Sequence, residues 1–150
     1  MASAMKSTID IAVSKLMAMG QFGDVLDHEP KNAPASGYTA AAWMVGASPA
    51  PTASGLGTVT MVYVLNIRLY RNMLEEPADD KGLLERADQI YDDFLGDFDL
   101  GSTVRNVDVF GEQGDAMTAT TGYVEVGGTM YRIIDIVLPV VVNNTIALAK

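Results

Sequence analysis

The sequence predicts an α+β fold, in which a mixed, mostly antiparallel sheet carries two helices packed on one of its sides. Three observations lead there. Apolar residues recur at helical spacing in two well-separated stretches, near the N-terminus and in the middle of the chain. A strict two-residue alternation runs through residues 58–70, and Gly127-Gly128 joins two further strand-like runs as a direct hairpin signal. Helices and strands in this order, without repeated βαβ units, give a sheet with helices segregated to one side.

The first helix is expected over residues 3–19, where Met5, Ile9, Ala12, Val13, Leu16 and Met19 form one stripe and Gly20 supplies the stop. That stripe reads as core rather than as a peptide-binding face. A short strand is expected over 22–28, then an extended loop forced by Glu29-Pro30-Lys31-Asn32-Ala33-Pro34. A second short strand covers 39–45. Residues 46–57 are small, polar and rich in Gly and Pro, and so read as a long connection, either an arm that orders on assembly or a plain solvent loop.

In the 58–70 strand, Val59, Met61, Tyr63, Leu65, Ile67 and Leu69 line a core face. The opposite face is mixed, which suits partial covering by a helix or another subunit. Tyr70, Met73 and Leu74 read as core rather than as an exposed contact patch. A second helix is expected over 78–95, with Leu83, Leu84, Ala87, Ile90, Tyr91, Phe94 and Leu95 buried. Asp79 and Asp80 favour its positive end, Asp88, Asp92 and Asp93 face solvent, and Gly96 ends it. The last third reads as a three-stranded antiparallel meander over 104–110, 119–126 and 130–141. Pro139, which has no N–H to give, belongs at an edge or a bulge.

A chain of 150 residues fits one domain, 1–150, and folding at this size buries about 70% of the unfolded surface. The absence of cysteine excludes disulfides, thiolate metal sites and cysteine nucleophiles. With 19 acidic against 10 basic residues, the net charge of -9 repels nucleic acid and argues against a general DNA-binding module. Lys6, Asp10 and Lys15 break any secretion signal, and the most apolar run, 133–142, is too short for a bilayer and contains Asp135 and Pro139. A soluble protein is expected.

The best chemical cluster is Asp24, Asp27, His28 and Glu29, which in a small metal-dependent hydrolase would have to converge on one ion. On a strand, however, Asp27 and Glu29 share a side that His28 does not. Gly55-Leu56-Gly57 lacks the rest of a phosphate-binding turn. Arg68 and Arg71 are candidates to grip a phosphate, but they read better as salt-bridge formers, including across a subunit interface. No second base accompanies the single His, so no serine triad can be built. The residues give no positive sign of catalysis, and no catalytic, cofactor or metal residue is assigned.

Several segments, in order, resemble tail terminator proteins of siphophages, the long-tailed phages with non-contractile tails, and those of actinobacterial hosts in particular. They are His28-Glu29-Pro30-Lys31 with Ala33-Pro34, Gly37, Thr39-Ala40-Ala41 and Trp43, and then Asn66-Ile67-Arg68-Leu69-Tyr70-Arg71-Asn72-Met73-Leu74 with Glu76-Pro77. Thr103-Val104-Arg105-Asn106-Val107-Asp108 and Leu138-Pro139-Val140-Val141-Val142-Asn143 complete the set. The resemblance implies an α+β fold and a structural virion protein rather than an enzyme. It implies a ring of six copies that caps the head-proximal end of the tail tube, stops elongation and offers the head-joining surface. The implied partners are further copies of the chain, the major tail tube protein and a head-to-tail connector, with genomic DNA passing through the lumen without specific binding; the net charge of -9 adds the expectation that this lumen is acidic. Assembly would take place in the host bacterial cytoplasm and no membrane would be involved. Competing expectations are another connector or tail-completion protein, the hydrolase named above, and a partner-binding module with no virion role.

Overall fold

The alternation over 58–70 builds strand β3 (Thr58–Asn72) at the centre of the sheet, because one side of that stretch is continuously apolar. The computed structural model describes residues 4–34, 37–50, 58–72, 78–96 and 106–147, and of residues 4, 58, 78–80 and 144–147 the backbone alone. Expectations placed on residues 51–57, 73–77 and 97–105, and on the side chains of Asp79 and Asp80, lie outside the described residues. The other elements, in chain order, are α1 (Ala4–Met19), β1 (Asp24–Leu26), β2 (Tyr38–Pro49), α2 (Ala78–Gly96), β4 (Asn106–Val107), β5 (Ala119–Val126) and β6 (Thr129–Ala147).

The strands form one sheet in the order β1-β2-β3-β6-β4, with β5 also on β6. β1 joins β2 in parallel and every other pairing is antiparallel. The α+β architecture expected from the sequence is therefore present, with two helices on a mixed, mostly antiparallel sheet. Leu16 and Ala12 of α1 and Leu83, Ile90 and Phe94 of α2 pack against Leu65, Ile67, Leu69, Ile134, Ile136 and Leu138 in one core. The separate clusters on the opposite face hold no helix residue.

Local chemistry accounts for the boundaries. Gly20, at φ 67°, closes α1 and its N–H donates to the Met17 carbonyl at 3.2 Å. Gly127 and Gly128, at φ 57° and 81°, make the two-residue turn that pairs Val126 with Thr129. Both helical stripes are narrower than expected: Met5 is exposed, and Leu84 and Leu95 each keep 46% of their surface. Seven positions are too many for the single line of contact that α2 makes with a sheet.

Four expectations about strands are corrected. The first strand is limited to Asp24–Leu26, since only these residues reach β2. β2 does not stop at Val45. An extra residue there makes a bulge between Met44 and Gly46, and the chain then continues pairing to Pro49, so residues 46–49 are strand rather than connection. The last third is not a meander, because β4 and β5 both pair with β6 and not with each other. The chain turns away after Val107, where the Asp108 carboxylate accepts the N–H groups of Glu112 (2.9 Å) and Gln113 (2.8 Å). Pro139 sits within β6 opposite Val64, at neither an outer edge nor a bulge. Its carbonyl accepts the Asp108 N–H at 2.9 Å, so its missing donor faces the seam where β6 changes partner from β5 to β4.

Candidate functional site

The helix-free face of the sheet carries a connected cluster of polar and charged side chains. β3 places Asn66, Arg68 and Tyr70 on this face, because they alternate with the core residues Leu65, Ile67 and Leu69. The β3–β6 register sets Arg68 directly opposite Asp135, and the β2–β3 register sets Trp43 opposite Asn66. Arg68 therefore meets Asp135 in a two-pronged bond, Nε to Oδ1 at 2.6 Å and Nη2 to Oδ2 at 3.0 Å. Asn66 Nδ2 donates to the same Oδ1 at 3.0 Å. The guanidinium lies 5.5 Å from the centre of the Trp43 ring, and Glu29 Oε2 stands 3.9 Å from Nη1.

The Arg68 side chain is 19% exposed and that of Asp135 27%, so the pair is shielded but still wetted. The bond to Asp135 holds Arg68 protonated well beyond the ordinary arginine range, outweighing the opposing effect of burial. Beside it Tyr70 is buried, and its phenol is pushed up chiefly by loss of solvent. Tyr70 meets Tyr131 edge-on with ring centres 6.0 Å apart. The Tyr131 hydroxyl donates to the Pro34 carbonyl at 2.7 Å, which ties the loop after β1 down onto this face.

The residues singled out from the sequence are distributed differently from expectation. Arg68 and Arg71 cannot share an anion, since they project to opposite sides of β3. Arg71 lies instead with its guanidinium 4.5 Å from the centre of Tyr38, on whose ring Arg86 of α2 also stacks at 3.4 Å. Arg68 does form a salt bridge, and its partner Asp135 belongs to the same chain. In the Asp24, Asp27, His28, Glu29 set, β1 ends at Leu26, so strand alternation does not govern the last three. His28 Nδ1 lies 2.9 Å from Asp27 Oδ1, and that bond lowers the Asp27 carboxyl below its usual range. Glu29 turns toward Arg68. Among the described residues no group of three or more His, Cys, Asp or Glu side chains is placed to hold a metal ion. No described helix is long and apolar enough to cross a membrane.

Sequence reasoning missed Asp135 and Asn66 as members of this cluster. The available signal was a charge in the middle of the apolar run 133–142: a carboxylate on a strand that is otherwise aliphatic needs a partner. Chemically, the arrangement is a network of mutually satisfied groups. No buried side-chain nitrogen or oxygen among the described residues lacks a hydrogen-bond partner. No known protein family matches the chain, and no curated protein matches it in sequence.

Proposed function

We propose that the chain is a tail terminator of a long-tailed, non-contractile bacteriophage. In this reading it is a structural subunit whose ring of six copies closes the head-proximal end of the tail tube, stops elongation and offers the surface that joins the head. One observation carries most of the weight beyond the sequence resemblance. Glu29, Pro34, Trp43, Asn66, Arg68 and Tyr70, drawn from separate segments of that resemblance, meet on the helix-free face.

The way they meet favours a scaffold over a reaction centre. Arg68 is engaged by Asp135, Trp43 and Glu29, and the Tyr131 hydroxyl is engaged by Pro34. Groups held this way fix the register of β3 on β6, and among these described side chains none is poised as a nucleophile beside a base. The net charge of -9 fits a wall past which DNA slides with few phosphate contacts. Immunogold labelling of virions with antibody to this chain tests the reading. Label at the junction of head and tail supports it, label on tailless heads points to a connector, and unlabelled particles exclude a virion role.

A further inference from the structure

Two long edges of the sheet carry no further strand among the described residues. On one side β1 covers β2 only from Thr39 to Ala41, so residues 42–49 keep an outer edge. On the other side β5 pairs with β6 along its inner edge, and its outer edge is left over for all eight residues. Parity identifies the groups that face outward. The Val137 N–H donates to the Thr118 carbonyl at 2.8 Å, so in this ladder Thr120, Gly122, Val124 and Val126 bond to β6. Ala119, Thr121, Tyr123 and Glu125 therefore direct N–H and C=O away from it, and all four are exposed. On β2 the Tyr38 carbonyl accepts the Gly23 N–H on the β1 side, and beyond the bulge the Ala50 N–H donates to the Thr60 carbonyl of β3. Ala42, Met44, Ala47 and Pro49 accordingly face outward, with the proline where a missing N–H leaves the β2–β3 ladder intact.

An outer edge of this length is a template for another strand, and chains that must stay apart blunt it with lysine, proline or a bulge. β5 has none of the three, and its only charge is Glu125. Residues 42–49 carry no charged side chain, and each edge shows water one large apolar group, Val45 with 63% of its surface and Tyr123 with 58%. Direction decides what fits. The successive antiparallel pairings of β2, β3, β6 and β5 make β5 run opposite to β2. A copy turned about an axis along the strands thus brings its β5 antiparallel to β2 of its neighbour, and the alternation continues from one chain into the next. We propose that the outer edge of β5 in one copy pairs antiparallel with residues 42–49 of β2 in the next copy. This names the contact between copies and rests on the tail-terminator reading. Two copies of β5 paired together would leave the β2 edge open, whereas β5 on β2 uses both edges and repeats until a ring closes. Ala42 and Ala119 both stand level with Ile136, and the two edges run in opposite directions from that row. Neighbouring copies are therefore staggered by roughly 20 Å along the strands, which a ring accommodates by strand tilt.

The test is sedimentation of the purified full chain over a range of concentrations, with proline placed where only an outward N–H is lost. Thr121→Pro on β5 and Ala47→Pro on β2 are each expected to weaken self-association about thirty-fold or more. Thr121→Val keeps the N–H and should associate as the wild type does. Unchanged thermal unfolding would show that each proline variant still folds. Hydrogen exchange on the wild-type chain reads the contact without any substitution: the amides of Ala119, Thr121, Tyr123 and Glu125 should slow on assembly. Wild-type self-association of both proline variants, with those amides still exchanging fast, overturns the proposal and leaves the ring reading standing. Weakening by Thr121→Pro but not by Ala47→Pro also overturns it, since β5 then pairs elsewhere. If the wild-type chain stays monomeric up to its solubility limit, the ring reading fails and the proposal fails with it.

Discussion

The two faces of the sheet are made by the same strands and do different things. Toward the helices, β3 and β6 present Leu65, Ile67, Leu69, Ile134, Ile136 and Leu138, aliphatic throughout and almost wholly removed from water. Away from the helices, the same two strands present Asn66, Arg68, Tyr70, Ile133 and Asp135, a mixture of ring, charge and amide. The first face gains its stability from area and shape, which tolerate similar substitutions and say little about register. The second face has a geometric requirement. If β3 slipped by one residue on β6, Arg68 would leave Asp135 and turn into the aliphatic core.

The largest predicted effect lies on the aliphatic face. Ile67→Ala, at a site with no exposed surface in the central strand, should lower unfolding free energy in urea by roughly 2–5 kcal/mol. A loss well below that range would mean that the helices do not close over β3 as described.

On the mixed face, Asp135→Ala removes the partner of a shielded cation. Because Arg68 keeps 19% of its side-chain surface in water, the loss should be smaller than for a fully buried pair, about 1–3 kcal/mol. The informative comparison is with Arg68→Met, Asp135→Leu together, which leaves no orphaned charge. That double variant should be more stable than Asp135→Ala alone, and a double-mutant cycle that shows no coupling would break the contrast between the faces.

Most of the fold was legible in the sequence because its signals are local and periodic. The alternation through β3, the stop at Gly20 and the Gly127-Gly128 turn each depend on residues a few positions apart. The expected meander fails because the deciding bond runs from the Asp108 side chain to backbone four and five residues on, a turn chemistry hidden inside a strand-like run. In the candidate site, Arg68 stood out as a charge on a strand, but its partner is 67 residues away, and strand register has to be known before the two can be matched. Nothing local pointed to Tyr38 lying between Arg71 and Arg86, or to Gly82 leaving room for its hydroxyl.

That last contact gives a sharper test of how α2 is seated. A Cβ at position 82 would run into the Tyr38 ring, which the two guanidinium groups keep from swinging aside, so Gly82→Ala should cost about 1–3 kcal/mol. Were the variant instead stabilised, as an ordinary exposed helix glycine replaced by alanine would be, the seating of α2 on Tyr38 would be wrong.

The smallest effect concerns alkaline pH. Burial raises the Tyr70 phenol above its unfolded value, so its contribution to stability is complete below pH ~10 and is lost as pH rises through the folded value. Tyr91 is shifted in the same direction by loss of solvent, and so Tyr70→Phe should flatten the alkaline decline only in part. An identical decline in that variant would show that Tyr70 is not shielded on the mixed face.

The proposal that this chain terminates a phage tail is open to electron microscopy of lysates from phage with a stop codon early in its reading frame. Overlong or ragged tail tubes beside DNA-filled heads that carry no tails are expected. Intact, infectious virions with tails of normal length would contradict it.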